Sequence, residues 1–491
     1  MVQGTGSGVG KSVVVAALCR IFRQDGYLVA PFKSQNMALN SYPTAEGGEM
    51  GRAQVVQAQA ASIEPTVEMN PILIKPSSDC LAQLIVNGKP WGNNTPQSYY
   101  QKKRQLRKII NESYRSLASK YELIVIEGAG SPAEINLRKQ DMVNMYVAKM
   151  ADAPVVLVGD IDKGGVFAWL YGTLKLLTPS ERKRVKGVII NKFRGDIKLL
   201  EPGLTMLEQK INLPVLGVIP YYHDIRIEEE DSVTTFSQSQ ASGHDVLDIA
   251  VIYLPHISNF TDFDALELEP KVNLRYLKHS DDLGNPDVLI IPGSKSTISD
   301  LQALKDSGLA SRILNVAQQG AIIVGICGGF QMLGHKIFDP GRLEGKTAAA
   351  DGLGLLNIST TITSEKITRQ VALEGISSFA LNQAGAGYEI HHGKTSLAGA
   401  QPLFKLGDGS VDGAISPDSR VWGTYLHGIF DISALRCAFL NQAARLRNKD
   451  LHYETSLNKA EFREQEFDKL ADHFRKHLDI KRIHKIIEGE A

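Results

Sequence analysis

A chain of 491 residues is longer than one hydrophobic core organises, so two or three domains are expected. Lys plus Arg equals Asp plus Glu at 54 each, which removes the case for nucleic acid as a partner through a general basic field; 43% hydrophobic and 22% charged residues describe an ordinary globular protein. Cys19, Cys80, Cys327 and Cys437 are too scattered for a metal-binding pair or a disulfide scaffold, which points to a reducing compartment. No basic stretch leads into an apolar signal core, and apolar runs such as AIIVGI (321–326) fall far short of the roughly 20 residues a membrane span needs. A soluble cytoplasmic protein without a membrane partner is the expectation.

The first element is GTGSGVGKS (4–12), behind a very short strand, MVQ. It is a glycine-rich phosphate loop with unusual spacing, because Thr5 stands where the common pattern has its first glycine. Gly6, Gly8 and Gly10 let backbone N–H groups converge on phosphate oxygens, and SVVVAALCRIF (12–22) continues as an apolar-faced helix whose N-terminus favours anions. Lys11 is placed to neutralise β- and γ-phosphate charge, and the Ser12 hydroxyl to ligate Mg²⁺.

The segment 31–79 carries Lys33, Gln35, Asn36, Asn40, Glu49, Arg52, Gln54, Gln57, Asn70 and Lys75 among apolar anchors. Leaving such groups buried and unpaired would cost roughly 1–3 kcal/mol each, so a large polar ligand is expected to satisfy them. Parallel buried strands are predicted at 122–128, 154–160, 187–193 and 214–220, with helices at 136–150 and 165–178 between them. A phosphate loop needs a metal-holding acid at a neighbouring strand end. Glu127 closes ELIVIE and Asp160 closes PVVLVGD, with Asp162 behind it. Asn191, in NKFRGD, is placed to read a nucleotide base.

The acidic, then Ser/Gln-rich stretch 225–247 is the natural boundary. The expected division is an ATP-binding domain at 1–225, a linker at 226–247, a second domain at 248–440 and a helical tail at 441–491. The second block has strands at 248–255, 287–294 and 321–329, then antiparallel-looking segments at 355–363 and 385–427. In AIIVGICGGFQMLG (321–334), Cys327 sits on an abrupt strand-to-helix turn between Gly325, Gly328 and Gly329. There the helix dipole favours thiolate, and backbone N–H groups can hold an oxyanion, with Gly293 or Ser294 as further donors. The base is His391, His392 or His427. In the tail, Phe462, Phe467, Leu470 and Phe474 recur at helical spacing, as in a packed helix.

GTGSGVGKS resembles the modified phosphate loop of dethiobiotin synthetase and its relatives, and GICGGFQMLG with YLHGIF resembles class I glutamine amidotransferases. Together with KSQNMALNS, GRAQ, MNPILIKP, NKFRGD, IPGSKST and GYEIHHG, the chain is similar to the glutamine-hydrolysing cobyric acid synthase family from residue 2 to at least residue 430. The fold implied is α/β: a P-loop NTPase-like parallel-sheet domain, a flavodoxin-like glutaminase domain and a C-terminal helical tail. The activity implied is amidation of the b, d, e and g carboxylates of adenosylcobyrinic acid a,c-diamide through acyl phosphates, with ATP, Mg²⁺, L-glutamine and the corrinoid as small-molecule partners. A homo-oligomer is compatible with this reading. By the resemblance Cys327 is the glutaminase nucleophile, His427 its base, and Gly10, Lys11 and Ser12 hold phosphates and metal; from the loop and the strand ends, Thr5, Gly8 and Asn191 are added for the nucleotide and Glu127 and Asp160 for the metal.

Two departures from the family pattern stand out. Ile429 occupies the place where many class I glutaminases carry the Glu that orients the histidine, leaving a dyad or another acid such as Glu389 or Asp431. The second metal acid is open between Glu46, Asp160 and Asp162. A cobyrinic acid a,c-diamide synthase is the alternative of the same class. A partitioning-type P-loop ATPase switch is the alternative of another class, and it has no use for Cys327 or His427.

Overall fold

The computed structural model describes residues 1–78, 81–228, 246–344, 347–454 and 458–490. Cys80 and most of the expected linker, 229–245, lie outside the described residues.

The first sheet is parallel and runs Val2–Gly4, Val155–Asp160, Val185–Phe193, Val215–Pro220. Beyond Val2–Gly4 lies the parallel pair Leu123–Ile126 and Val29–Phe32, joined to it by a bridge between Val2 and Glu127. Every residue of Val155–Asp160 is buried, as a strand covered by helices on both faces requires. The order places the ends of four strands around the phosphate loop. The expected helix at 136–150 is instead a 3-10 turn, Ile135–Gln140, followed by a short helix, Met145–Met150. Asp141 is the cause: its carboxylate accepts from the N–H groups of Val143, Asn144 and Tyr146, which starts a new helix there.

Between Val29–Phe32 and Leu123–Ile126 the chain inserts a hairpin (Ser41–Pro43 with Glu49–Gly51), a helix (Arg52–Ala60) and a four-stranded sheet. Asn36, Asn40, Glu49, Arg52, Gln54, Gln57, Asn70 and Lys75 are all buried here. Several are satisfied by one another. Asn36 donates to Gln54, Lys75 and Ser41 converge on Glu49, and Asn70 braces Gly51 and Lys33. The crowding of amides therefore builds the insert's own interior as much as it offers groups to a ligand.

The second domain has a six-stranded sheet in the order Val272–Leu277, Leu247–Ile252, Val288–Ile291, Ile322–Ile326, Val421–Thr424, Ala414–Ile415. The first five are parallel. Numbered along the chain they read 2-1-3-4-5, the flavodoxin-like order. A mixed sheet built on the long pair Ile358–Gly375 and Ala384–Leu397 leans against the first domain's hairpin. The helix Ser433–Leu446 packs in the second core, while Lys459–His477 returns to the first domain. Its Phe467, Leu470 and Phe474 are buried with Val14, Ile21 and Phe22, whereas Phe462 is half-buried. A side chain at Gly217 would collide with the His477 carbonyl, its Cβ standing 2.1 Å away, so glycine admits this return.

Candidate active sites

At the first site, Gly10 (φ 94°) caps the helix Lys11–Gln24 in a left-handed conformation natural only to glycine. Lys11 Nζ donates to the carbonyls of Gly6 (2.7 Å) and Gly130 (3.2 Å), curled over the loop. Gly8 (φ 68°) offers its carbonyl to Lys192 Nζ at 2.6 Å. Asn191 donates its side-chain amide to the Val9 carbonyl at 2.9 Å, so it lies beneath the loop and braces it. Thr5 faces a groove of about 380 Å³ shared with Ser7, Asp160, Lys163 and Trp169. Its hydroxyl is buried without a hydrogen-bond partner among the described residues.

Ser12 Oγ donates to Glu127 Oε1 at 2.8 Å. Glu127, 1% exposed, also receives Gln57 (2.6 Å) and faces Lys33 Nζ (2.9 Å). Burial alone would raise its carboxyl, but the Lys33 ammonium and the hydrogen bonds from Gln57 and Ser12 outweigh that and hold it ionised. Asp160 lies on the other side of Val2–Gly4, with one oxygen 3.1 Å from Lys192 Nζ and the other accepting from the Asp162 N–H. Glu46 is exposed on the hairpin turn, and Asp162 pairs with Arg194 at 2.9 Å. Among the described residues no cluster of three or more His, Cys, Asp or Glu side chains forms a metal cage. A nucleotide-bound Mg²⁺ needs none, since it takes one or two carboxylates and draws its other ligands from phosphates and water. The ionised Glu127 beside the Ser12 hydroxyl suits that requirement.

At the second site, Cys327 follows the strand Ile322–Ile326 with φ 51° and ψ −105°, strained backbone held by its surroundings. The turn closes because its neighbours lack side chains. A Cβ on Gly329 would stand 1.9 Å from the Ile291 carbonyl, and one on Gly328 would stand 2.8 Å from the Ser294 nitrogen. Ser294 N–H therefore lies beside the turn, on the strand end expected to lend an oxyanion donor. The Cys327 thiol donates to the Ile390 carbonyl at 3.7 Å.

Of the three histidines, His391 stacks on Tyr425 and contacts Glu389 and the Gly393 carbonyl. His392 bonds the Thr363 carbonyl, and burial with Lys366 and Lys295 nearby lowers it to about 4. His427, 1% exposed, has its Nδ1 2.6 Å from Asp262 Oδ2, while Gly428 N–H donates to Asp262 Oδ1 at 3.0 Å. Burial would lower the imidazole, but Asp262, then the Cys327 sulfur, push it up to about 10. The carboxylate that meets His427 is thus Asp262, whereas Glu389 pairs with Arg369 and Asp431 with Lys459. Asp262 lies in SNFTDFD, just past the strand Leu247–Ile252. The available signal was its place beyond the carboxyl end of a parallel strand, where sites of this fold gather.

A phosphate loop on one parallel sheet and a Cys–His–Asp set on a 2-1-3-4-5 sheet define a glutamine amidotransferase joined to a nucleotide-binding domain. Residues 1–234 match the CobQ/CobB/MinD/ParA nucleotide binding domain and residues 248–435 the CobB/CobQ-like glutamine amidotransferase domain. The chain is 51% identical to the cobyric acid synthase of Alkaliphilus metalliredigens (strain QYMF), with 100% of each covered. It is 52% identical to that of Thermoanaerobacter sp. (strain X514), over 99% of this chain and 98% of the other. It belongs to the cobyric acid synthase family. Among the described residues no helix is long and apolar enough to cross a membrane.

Proposed function

We propose that the protein uses ATP and glutamine to amidate the b, d, e and g side-chain carboxylates of adenosylcobyrinic acid a,c-diamide, giving adenosylcobyric acid. One observation carries the reading. A Lys-Ser phosphate loop and a Cys–His–Asp set share a chain similar, end to end, to cobyric acid synthases.

In the rear domain Cys327 Sγ attacks the glutamine side-chain carbonyl, and the oxyanion is held by N–H groups at the turn. The C–N bond breaks as His427 gives its proton to the leaving ammonia. Water, deprotonated by His427, then cleaves the thioester and releases glutamate. Asp262 fixes the imidazole's orientation and stabilises its charged form. In the front domain a substrate carboxylate oxygen attacks the γ-phosphorus, and ADP leaves. A carboxylate is a poor electrophile, and the acyl phosphate supplies the leaving group it lacks. Ammonia attacks the acyl carbon and inorganic phosphate departs. Lys11 and the loop amides cancel phosphate charge, which such a transfer needs more than it needs a strong base. Ser12 and Glu127 are the residues that would hold Mg²⁺, which would supply further positive charge against the phosphates.

The test is Cys327→Ala with ATP and the corrinoid, counting amides by mass spectrometry. Glutamine-driven amidation is expected to vanish and ammonia-driven amidation to persist. Loss of both would refute the division of labour, and two amides on a different corrinoid acid would refute the substrate assignment.

A further inference from the structure

Asp262 and His427 are separated by a long stretch of chain, yet each is braced by a neighbour, Asn259 or Tyr388, that one short segment of the other domain contacts. The Asn40–Ser41 segment and Asn259 exchange backbone-to-side-chain hydrogen bonds. Asn259 N–H donates to Asn40 Oδ1 at 2.6 Å, and Ser41 N–H donates to Asn259 Oδ1 at 3.1 Å. Asn259 in turn accepts the Asp262 N–H on its own carbonyl at 3.1 Å, so fixing Asn259 fixes the turn that carries Asp262. Two residues along, Tyr42 meets Tyr388 edge to face, with ring centroids 4.9 Å apart. Tyr388 stacks on His427 at 5.1 Å and 19°, and their backbones exchange two hydrogen bonds, of 3.1 and 2.8 Å. Asn40, Asn259, Tyr388 and His427 are all buried, so the contacts are enclosed.

The same segment is tied to the phosphate site. Arg52 donates its N–H to the Asn40 carbonyl at 3.2 Å and lays its guanidinium 5.0 Å from the Tyr42 ring centre. Arg52 opens the helix Arg52–Ala60, whose Gln57 reaches Glu127 at 2.6 Å and the Ser12 carbonyl at 3.3 Å. This helix thus links Glu127 to the segment that carries Asn40 and Tyr42.

We propose that Asn40–Tyr42 of the nucleotide-binding domain is a positioning element for the glutaminase pair Asp262–His427, so that glutamine is hydrolysed fast only while that segment is docked. The inference rests on Cys327, His427 and Asp262 acting as the glutaminase set. It adds that this set is completed from the domain where ammonia is consumed. Chemistry gives the reason. Ammonia released at neutral pH is protonated and lost as a nucleophile, so a base aligned by the acceptor domain limits waste.

Asn259→Gly isolates the clamp. Asn259 has φ 53°, a conformation glycine adopts freely, so the variant removes the side-chain bond without straining the backbone. Tyr42→Leu removes the aromatic edge, and Tyr42→Phe keeps it. Full-length proteins are given glutamine alone and glutamate release is followed across pH; the rate of Cys327 alkylation by the glutamine analogue 6-diazo-5-oxo-L-norleucine is measured in parallel. Asn259→Gly and Tyr42→Leu are expected to lower kcat about 10- to 100-fold, the scale of a small misplacement of a catalytic group, with KM for glutamine little changed. His427 is faced by Asp262, Cys327 and the Tyr388 phenol, and loosening Asp262 disfavours the imidazolium, so the alkaline limb moves to lower pH. Tyr42→Phe is expected to match the parent.

Unchanged kcat and pH limbs in Asn259→Gly and Tyr42→Leu would overturn the proposal. So would equal losses in all three variants accompanied by lower melting temperatures, since that pattern marks a general structural role. A parent protein inert in both assays would overturn it together with the glutaminase reading. A parent that hydrolyses glutamine but amidates no corrinoid would overturn only the substrate assignment.

Discussion

Asp262→Asn is the sharpest probe of the second site. Asparagine is nearly isosteric and can keep its oxygen on the Gly428 N–H, which now bonds Asp262 Oδ1 at 3.0 Å. That choice turns its NH₂ group toward His427 Nδ1, where a carboxylate oxygen now stands 2.6 Å away. A donor there keeps Nδ1 bare and the ring's single proton on Nε2, which disfavours the imidazolium that the ring forms when it holds the thiol proton. The lost charge matters as well. The imidazole rises from 6.5 to about 10 in spite of its burial, so its partners favour the charged ring by several kcal/mol. Asp262 leads the groups that raise the ring against the cost of burial, so losing its charge removes the main support of the imidazolium. With the tautomer penalty added, kcat for glutamate release is expected to fall roughly 10²–10³-fold. Thermal melting at neutral pH should also fall, because a folded-state value raised to about 10 stabilises the fold at pH values below it, so rates are compared where the variant is fully folded. A folded variant within about twofold of the parent's rate would refute the assignment of Asp262.

Two further outcomes follow from other contacts. Gly10→Ala would put a Cβ 2.2 Å from Asn191 Nδ2 at a φ of 94°, so ATP-dependent ADP release should drop more than about 100-fold while glutamine hydrolysis continues; retained ADP release would show that the loop tolerates the shift. Glu49 is buried between Lys75 (2.8 Å) and Lys366, and burial's upward push on its carboxyl is overcome by the two ammoniums, which hold it well below the ordinary 4.5. A lowered folded-state value means stability fully present above about pH 4.5 and lost as the pH falls through and below it. Glu49→Gln should therefore flatten that acid limb in melting experiments, and at neutral pH it should cost about 3–5 kcal/mol by stranding buried ammonium charge. An unaltered acid limb would count against this ion cluster.

Much of the architecture was legible because parallel strands are buried on both faces and write continuous apolar runs: 154–160 and 287–294 reappear as Val155–Asp160 and Val288–Ile291. The loop and the cysteine turn were equally open, since glycines at a strand end leave few other uses for Lys11 or Cys327. What stayed hidden depends on contacts between distant segments. Asp262 is one carboxylate among several in its stretch, and only the folded sheet carries it to His427. The broken helix after Gln140 turned on one capping side chain, Asp141, which helical periodicity does not register. The polar segment 31–79 suggested a ligand's bed, but much of that polarity is internal pairing, as between Asn36 and Gln54.

The return of Lys459–His477 to the first domain has a consequence for how the protein is made. Ribosomes release chains from the front at about 5–20 residues per second, and domains generally fold as they emerge. Here the apolar patch around Val14, Ile21 and Phe22 stays uncovered until Phe467, Leu470 and Phe474 have been synthesised. This domain must wait until residues 467–474, more than 400 positions further on, are made before its core can close, during tens of seconds in which that patch is a natural client for chaperones.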